Sequence, residues 1–195
     1  MSEFRRHLGD FGEWSPTLSE TQLALLEAHY DKLRFWMKKM NLTTITVPRE
    51  MVLRHYVESL WFGGLIPEWV RSVADVGSGA GFPGVPVAIL CSGCQVTLIE
   101  ADRRKAIFLE ESTLGLENIE VCAERLERCE LSADAIITRA VDVGEVRQYA
   151  QTRAKWFGVL TSGEIADKFK WDSVEKLPWD QNHVAAFLKV SRGTS

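Results

Sequence analysis

The chain has 195 residues, of which 46% are hydrophobic and 26% charged. This length and composition predict one domain, or one domain with an appendage, and exclude disordered, collagen-like and coiled-coil proteins. The longest apolar run, 82–91, is too short to cross a bilayer, and the N-terminus lacks the apolar run of a signal peptide. We therefore expect a cytoplasmic protein without membrane contact. A net charge of −4 argues at first sight against a nucleic-acid-binding protein.

The first seventy residues are predicted to be helical. Apolar residues recur every three or four positions from Leu23 to Met40, which predicts an amphipathic helix of about twenty residues. Thr17 and Ser19 are its candidate N-caps. A second helix is predicted from about Pro48, a typical first-turn proline, to the glycine pair at 63–64.

From residue 71 onwards, short β-type runs alternate with helical stretches. The predicted strands are 72–76, 95–100, 119–122, 133–138, 156–160 and 184–190. The predicted helices are 83–90, 103–114 and 144–154, with a further helical stretch at 123–128. Such alternation predicts a Rossmann-like α/β domain, a mostly parallel sheet with helices on both faces. Residues 71–195 would form this domain behind a helical extension of residues 1–70, the two making one compact unit.

The four cysteines are predicted to be ordinary thiols. Cys91 and Cys94 form a C-x-x-C pair, but a structural zinc site needs two further ligands at similar spacing. Cys122 and Cys129 do not supply them, since they are farther apart and have no histidine nearby. We therefore expect no metal site.

A glycine-rich segment follows the first predicted strand and leads into a helix. Gly77, Gly79 and Gly81 are spaced G-x-G-x-G, with Phe82 where a dinucleotide fingerprint would place its third glycine. Asp75 stands two residues before the first glycine. A carboxylate there gives no advantage to a pyrophosphate, but it suits a ligand with an ammonium and a sulfonium group. The pattern resembles motif I of class I S-adenosylmethionine (SAM) methyltransferases.

The next predicted strand ends in Glu100, 23 residues after Gly77. A carboxylate at this position can accept hydrogen bonds from both hydroxyls of a ribose. Asp102 is the neighbouring acid, but it is better placed to cap the following helix. Two alternatives stay open: a tight strand-to-helix turn without a ligand, and a nicotinamide or flavin site.

With this loop placed, the chain resembles the RsmG family, also called GidB, over nearly its whole length. The resemblance rests on N-L-T at 41–43, R-H-x-x-x-S at 54–59 and D-V-G-S-G-x-G-x-P-G at 75–84, with further matches at 104–109, 116–119, 125 and 138–140. Two departures remove positive charge. Thr161 and Ser162 follow Leu160 where the family has a lysine, and Asn182 precedes His183 where the family has an arginine.

The resemblance implies a methyltransferase that uses SAM, releases S-adenosylhomocysteine and makes 7-methylguanosine in 16S ribosomal RNA. Its partner would be that RNA or the assembling 30S subunit, and a monomer is the default state. The implied catalytic residue is Arg139. The implied cofactor-binding residues are Asp75, Gly77, Ser78, Gly79, Gly81, Phe82, Glu100, Ala123, Glu124 and Arg139. The implied RNA contacts are Asn41, Arg54, His55, Arg104 and Lys105.

The chemistry of this reaction makes modest demands on the protein. Ring nitrogen 7 of guanine is an unprotonated acceptor, so no base has to remove a proton, and the enzyme supplies mainly orientation. Two other functions remain open: a methyltransferase of a small molecule, and a SAM-fold protein that binds ribosomal RNA with little turnover. For the RNA function we expect the basic clusters at 32–39, 103–105 and 139–155 to form one patch beside the cofactor pocket.

Overall fold

The computed structural model describes residues 1–139 and 141–190. Its strands form one sheet in the order β3-β2-β1-β4-β5-β7-β6. They are β1 (Ser72–Val76), β2 (Gln95–Ile99), β3 (Ile119–Cys122), β4 (Ala135–Arg139), β5 (Trp156–Ser162), β6 (Ser173–Leu177) and β7 (Asp180–Lys189). Strands β1 to β5 run parallel to one another, whereas β7 runs antiparallel to both of its neighbours, β5 and β6. The architecture is the Rossmann-like α/β fold that the sequence predicted.

Helices cover both faces of this sheet. The helices are α1 (Glu3–Gly9), α2 (Glu20–Trp36), α3 (Pro48–Met51), α4 (Glu58–Gly63), α5 (Gly84–Leu90), α6 (Arg103–Ser112), α7 (Val143–Arg153) and α8 (Gly163–Ala166). A π-helical segment, Val52–Val57, joins α3 to α4, and a 3₁₀ turn, Leu126–Arg128, follows β3.

Two of the helix starts show why these segments are helical. The backbone N–H of Gln22 donates to Ser19 Oγ at 3.2 Å, and the backbone N–H of Ser19 donates to Gln22 Oε1 at 2.9 Å. This reciprocal capping box identifies Ser19, rather than Thr17, as the N-cap of α2. Asp102 caps α6 by accepting from the backbone N–H groups of Arg104 and Lys105, as expected.

The N-terminal helices and the sheet share one apolar layer. Phe4, Leu26 and Tyr56 belong to the same buried cluster as Phe82 and Phe108, which follow β1 and β2. The rings of Tyr56 and Phe82 meet edge to face with their centroids 4.9 Å apart. A second buried cluster fills the opposite face of the sheet under α7. Residues on both sides of position 70 thus build a single core layer.

The predicted element boundaries differ from the structure in several places. Helix α2 ends at Trp36 and not near Met40, and the stretch predicted as helix at 123–128 forms only the 3₁₀ turn. Helix α1 lies in the part predicted to be helical but was not predicted as a separate helix, and β6 was not predicted. Four of the five residues of β6 are exposed, as befits an edge strand, so it lacks the apolar alternation that marks a half-buried one.

Each of the four cysteines is a free thiol. Over residues 1–139 and 141–190, no helix is long and apolar enough to span a membrane. Within the same ranges, no group of three or more His, Cys, Asp or Glu side chains is placed to hold a metal ion. The predicted second part of the chain, 71–195, includes Ala140 and residues 191–195, which lie outside the described residues.

Candidate functional site

The loops after β1, β2, β3 and β4 come together at the carboxyl edge of the sheet. Strands β2 and β4 flank β1 on opposite sides, so the chain reverses its winding direction at β1, which is where α/β folds bind ligands. Two neighbouring clefts open there, of about 380 and 310 Å³. We call the first the acidic cleft, because Glu100, Glu124 and Asp142 line it. We call the second the arginine cleft, after Arg139.

The glycine loop separates the two clefts. Gly77, Gly79 and Lys105 line both of them. Gly77 and Gly79 have φ angles of +71° and +58°, in the left-handed region that favours glycine. A Cβ on Gly77 would overlap the side chain of Val141, whereas a Cβ on Gly79 would meet only the backbone oxygen of Gly77, at 3.8 Å. A ligand lying along this loop would therefore contact bare backbone and reach into both clefts.

Asp75 lies beneath the loop and is completely buried. Its Oδ2 accepts from the backbone N–H of Gly84 at 2.9 Å, which ties β1 to the start of α5. Ser78 Oγ donates to the backbone carbonyl of Asp75 at 2.9 Å and so closes the loop. Asp75 Oδ1 has no partner among the described residues. Burial raises the pKa of Asp75 to about 7.

Glu100 is held rigidly at the end of β2. Its Oε2 accepts from the backbone N–H of Gly79 at 2.9 Å, and its Oε1 accepts from that of Asp102 at 2.8 Å. Each carboxylate oxygen keeps lone-pair capacity, and the side chain lines the acidic cleft. This arrangement suits a ligand that donates paired hydroxyl groups.

The turn after β3 lines the acidic cleft, although not with every residue implied by the resemblance. Glu124 is at the cleft, and so are Arg125 and Glu127. Ala123 is exposed and is not among the lining residues. The direction of this turn depends on packing against β2 and α7, which the spacing of the sequence does not reveal.

Arg139 ends β4 and joins the two parts of the chain. Its Nη1 donates to the backbone carbonyl of Arg54 at 2.5 Å and lies 3.4 Å from Glu58 Oε2. Its Nη2 donates to His55 Nδ1 at 2.9 Å. Gly81 is packed against Val85 and His29, beneath the same region. Arg139 lines the arginine cleft, and its catalytic role stays a prediction.

His55 is buried between polar groups and an aromatic ring. Its Nε2 lies 2.8 Å from Thr43 Oγ1, and its ring stacks on Phe82 with a centroid distance of 4.7 Å. Burial and the charges of Arg139 and Arg54 lower its pKa to about 3. His55 is therefore neutral. It lines the arginine cleft together with Thr43.

Arg54 is not among the described residues that line either cleft. Its Nη1 lies 2.5 Å from Asp180 Oδ2 and 3.0 Å from Glu58 Oε1, and its Nη2 lies 3.3 Å from His183 Nε2. These contacts link the π-helical segment to β7. Asn41 is exposed and is likewise not a lining residue. Both remain predicted RNA contacts at the margin of the site.

The two departures from the family pattern lie side by side in the sheet. Thr161 is paired with Val184, and Ser162 with His183, in the antiparallel register of β5 and β7. Asn182 immediately precedes this pair and is exposed. The backbone brings these positions together. The lysine and the arginine of the family pattern would therefore both lie near the contacts of Arg54.

Two of the three basic clusters meet in space. Arg104 Nη2 lies 3.4 Å from the backbone carbonyl of Lys39, so 103–105 adjoins 32–39, and Lys105 reaches the clefts. The third cluster is divided, since Arg139 lines the arginine cleft together with Lys105 whereas Lys155 lies elsewhere. The expectation that all three clusters form one patch was therefore wrong for the Lys155 end. Lys155 pairs with Asp134 at 2.8 Å, because α7 carries the chain back to the amino end of the sheet.

Several lining residues were not singled out by the sequence analysis. Val141 and Asp142 form the wall of the acidic cleft after β4, and Thr43 lines the arginine cleft. Asp142 carries a sequence signal, since it caps α7 by accepting from the backbone N–H of Glu145 at 3.0 Å. Thr43 belongs to the N-L-T segment, but nothing in its spacing indicates its contact with His55.

Comparison with solved structures supports the fold. The chain matches the structure titled "delta-N METTL16 MTase domain" with a TM-score of 0.57 at 13% identity, covering 86% of this chain and 97% of that one. It matches the human methyltransferase 10 domain containing protein with a TM-score of 0.55 at 15% identity, covering 84% and 96%. At these identities the likeness extends to the fold alone.

Sequence relatives are closer. A protein of Neisseria meningitidis named ribosomal RNA small subunit methyltransferase G is 38% identical over 128 residues, covering 63% of this chain and 60% of the relative. A protein of the same name from Nitrosococcus oceani is 35% identical over 166 residues, covering 83% and 76%. The match to the Neisseria relative thus spans about 60% of that protein's length.

The family model described as rRNA small subunit methyltransferase G matches residues 22–168. This range contains the N-L-T segment, the glycine loop, Glu100 and Arg139, which together form the two clefts. The match covers well over half of the chain, and the relative from Nitrosococcus oceani carries the same family name. The chain therefore belongs to the rRNA small subunit methyltransferase G family, also named GidB.

Proposed function

We propose that this protein transfers a methyl group from SAM to ring nitrogen 7 of a guanine in 16S ribosomal RNA. The observation that carries the proposal is the position of the glycine loop. It separates the acidic cleft, held by Glu100, from the arginine cleft, held by Arg139. A SAM molecule along the loop would have its methyl group in the arginine cleft, beside a target base. The names of the relatives support small-subunit ribosomal RNA as the substrate.

The residues at the acidic cleft fit SAM. Both clefts fall near the lower end of the usual size range for small-ligand sites, and the shared loop joins them. Glu100 offers carboxylate lone pairs for the ribose hydroxyls. The unpartnered Oδ1 of Asp75 is a buried acceptor beneath the loop, which suits the ammonium group of the ligand directly or through a water.

We assign the remaining cofactor contacts by the same reasoning. The backbone of Gly77, Ser78, Gly79 and Gly81 supports the methionine part, and Phe82 forms the floor of the arginine cleft. Glu124 and its neighbour Ala123 belong to the turn beside the adenine. Lys105 lines both clefts, and we place it against the cofactor as well as the RNA.

Glu100 and the backbone of the glycine loop would hold SAM, which would supply an electrophilic methyl group and remain as S-adenosylhomocysteine after transfer of that group to guanine N7. The chain's own residues need not remove a proton, because N7 has a free lone pair. Neither nitrogen of His55 is free to act as a base, since each is engaged by Arg139 or Thr43. Arg139 and Thr43 orient the base, so the protein works by positioning and by fixed electrostatics.

For the RNA we propose a contact surface formed by Arg104, Lys105 and the Lys38–Lys39 segment. Arg104, Lys38 and Lys39 are exposed, and Arg104 Nη2 lies 3.4 Å from the backbone carbonyl of Lys39. Lys105, next to Arg104 in the sequence, lines the arginine cleft. Local phosphate contacts of this kind can bind RNA although the whole chain carries a net charge of −4. Asn41 and Arg54 line neither cleft, and we propose them as further RNA contacts outside both clefts. The partner would be ribosomal RNA or an assembling 30S subunit in the cytoplasm, met by a monomer.

The test combines binding with mapping of the modification. Calorimetry should show one binding site for SAM. Glu100→Gln should raise the Kd for SAM by about tenfold or more, because the carboxylate oxygens accept hydrogen bonds from the glycine loop and from the ribose hydroxyls. In a deletion strain, 7-methylguanosine should disappear from one position of 16S ribosomal RNA. The wild-type gene should restore it and the Glu100→Gln gene should not. Unchanged methylation in a confirmed deletion strain would contradict the proposal.

A small-molecule substrate is the second candidate. The position of Lys155 favours it, because that end of the third basic cluster lies away from the clefts. The two candidates differ in the mapping experiment: SAM binding without any change in ribosomal RNA would select the second.

A further inference from the structure

Thr43 has a hydroxyl group whose hydrogen-bonding direction is fixed by its neighbours. Its Oγ1 accepts from the backbone N–H of Ile45 at 3.1 Å and lies 2.8 Å from His55 Nε2. Thr43 is half-buried and lines the arginine cleft together with Ser78, Phe82 and Arg139. The direction of the bond to His55 decides what this hydroxyl can offer to a ligand.

Arg139 determines that direction. A guanidinium has only N–H donors, so His55 Nδ1, at 2.9 Å from Arg139 Nη2, must be an acceptor without a proton. The ring is neutral, because burial among positive charges disfavours the imidazolium. The single ring proton therefore resides on Nε2, and His55 donates to Thr43 Oγ1.

Thr43 Oγ1 thus receives two hydrogen bonds, from Ile45 and from His55, and both of its lone pairs are used. Its own proton remains, and among the described residues no acceptor takes it. An ordinary threonine hydroxyl can turn to donate or to accept. This one can only donate, and the cleft that it lines is where an acceptor can approach it.

We propose that Thr43 is a specificity-determining residue that donates a hydrogen bond to O6 of the target guanine. This inference rests on the proposed function. On the Hoogsteen edge, guanine presents O6 next to N7, both as acceptors, whereas adenine presents an N6–H donor beside N7. A donor-only hydroxyl matches guanine and opposes adenine. Because the bond goes to O6, the lone pair of N7 stays free for the methyl group.

The chain of contacts also explains why the donor is well placed. Arg139, His55 and Thr43 form a continuous series from β4 to the segment before α3, and the His55 ring is stacked on Phe82. Each member is fixed by the next, so the hydroxyl is oriented before a substrate arrives. Arg139 acts here as a positioning residue through His55.

The test uses purified full-length protein and 16S ribosomal RNA with guanine, or site-specifically 2,6-diaminopurine, at the mapped target. Thr43→Val should lower kcat/KM for guanine by about 10- to 100-fold, while the Kd for SAM changes less than twofold. Thr43→Ser, which keeps the donor, should recover most of the activity. Diaminopurine has an amino donor in place of O6, so wild-type protein should discriminate against it and Thr43→Val should largely lose that discrimination. Thr152→Val, on the exposed side of α7, serves as the matched control.

The outcomes separate this inference from the proposed function. If wild-type protein methylates no guanine in the RNA, the proposed function fails. If wild-type protein is active and Thr43→Val equals it on both substrates, the inference alone is wrong. A rise in the Kd for SAM without loss of base discrimination would also overturn it, because Thr43 would then hold the cofactor. Should Thr43→Val fold poorly, the serine variant and the wild-type comparison of the two bases still decide.

Discussion

Arg139 Nη2 donates to His55 Nδ1 over 2.9 Å, across 84 positions of sequence. The bond joins the last residue of β4 to the π-helical segment that precedes α4. Arginine cannot accept a hydrogen bond, so the contact fixes both the tautomer of His55 and its neutral state. The same guanidinium lines the arginine cleft, and its replacement should therefore be visible in the titration of His55.

We expect Arg139→Gln to raise the pKa of His55. Burial is the largest cause of the depression to about 3, and the charge of Arg139 is the second, so removing that charge should move the pKa back towards the ordinary value of 6.5. Nitrogen-detected NMR of the histidine rings should show a neutral ring protonated at Nε2 in the wild type down to pH 4. A wild-type pKa near 6.5, or no shift in the variant relative to Arg147→Gln, would contradict this.

Asp75→Asn should change how stability depends on pH. The pKa of Asp75 is raised from 3.8 to about 7, so above pH 7 its ionised carboxylate destabilises the folded protein, and this cost disappears as the pH falls towards 3.8. Asparagine cannot ionise. Between pH 5 and pH 8, the unfolding free energy of the variant relative to wild type should therefore rise by about 2 to 3 kcal/mol.

Asp134→Asn is the control for that measurement. The pKa of Asp134 is lowered to about 2, chiefly by the hydrogen bond from Lys155. Its stabilising contribution is present above pH 3.8 and lost only as the pH falls towards 2. The difference between Asp134→Asn and wild type should accordingly be constant from pH 5 to pH 8 in urea titrations. A constant difference for Asp75→Asn as well would show that Asp75 is not shifted.

Gly79→Ala and Gly115→Ala form a matched pair. Both glycines have positive φ, +58° and +92°, and a Cβ meets no close obstacle at either. Each substitution should lower the unfolding free energy by about 1 to 2 kcal/mol through backbone strain. Only Gly79 lines the clefts, so only its variant should lose SAM affinity, by about tenfold or more in calorimetry. Equal affinity in the two variants would exclude close approach of a ligand to Gly79.

Arg54→Ala and Arg104→Ala should separate stability from RNA binding. Loss of Arg54 removes one of the two arginines that pair with the buried Glu58, the one at 3.0 Å, and unfolding should become easier by about 2 kcal/mol. Arg104 is exposed, so its variant should unfold like wild type within about 0.5 kcal/mol. Filter binding to 16S ribosomal RNA should be weaker for Arg104→Ala than for wild type, with its salt dependence reduced by about one phosphate contact. Unchanged RNA affinity in Arg104→Ala would remove this surface from the proposal.

The features that could be predicted from sequence depend on local spacing. Strands β1 to β5, the glycine loop and Glu100 follow from apolar runs and from residues close together in the chain. Contacts between distant segments could not be predicted in this way. The Arg54–Asp180 pair joins residues 126 positions apart, and the bond from Arg139 to His55 joins residues 84 positions apart. Strand β6 was missed because exposed edge residues carry no apolar pattern.

The apolar layer that joins the N-terminal helices to the sheet also constrains the order of events during synthesis. Helices α1 to α4 leave the ribosome before any strand, and Phe4, Leu26 and Tyr56 then have no Phe82 or Phe108 to cover. Domains generally fold as units, so these helices should reach their final packing only after α5 and α6 follow. The arginine cleft is completed later still, because Arg139 is made after most of the chain. The same layer also contains Trp156, Leu177 and Phe187, so neither the core layer nor the site is complete until the last strands of the sheet have been made.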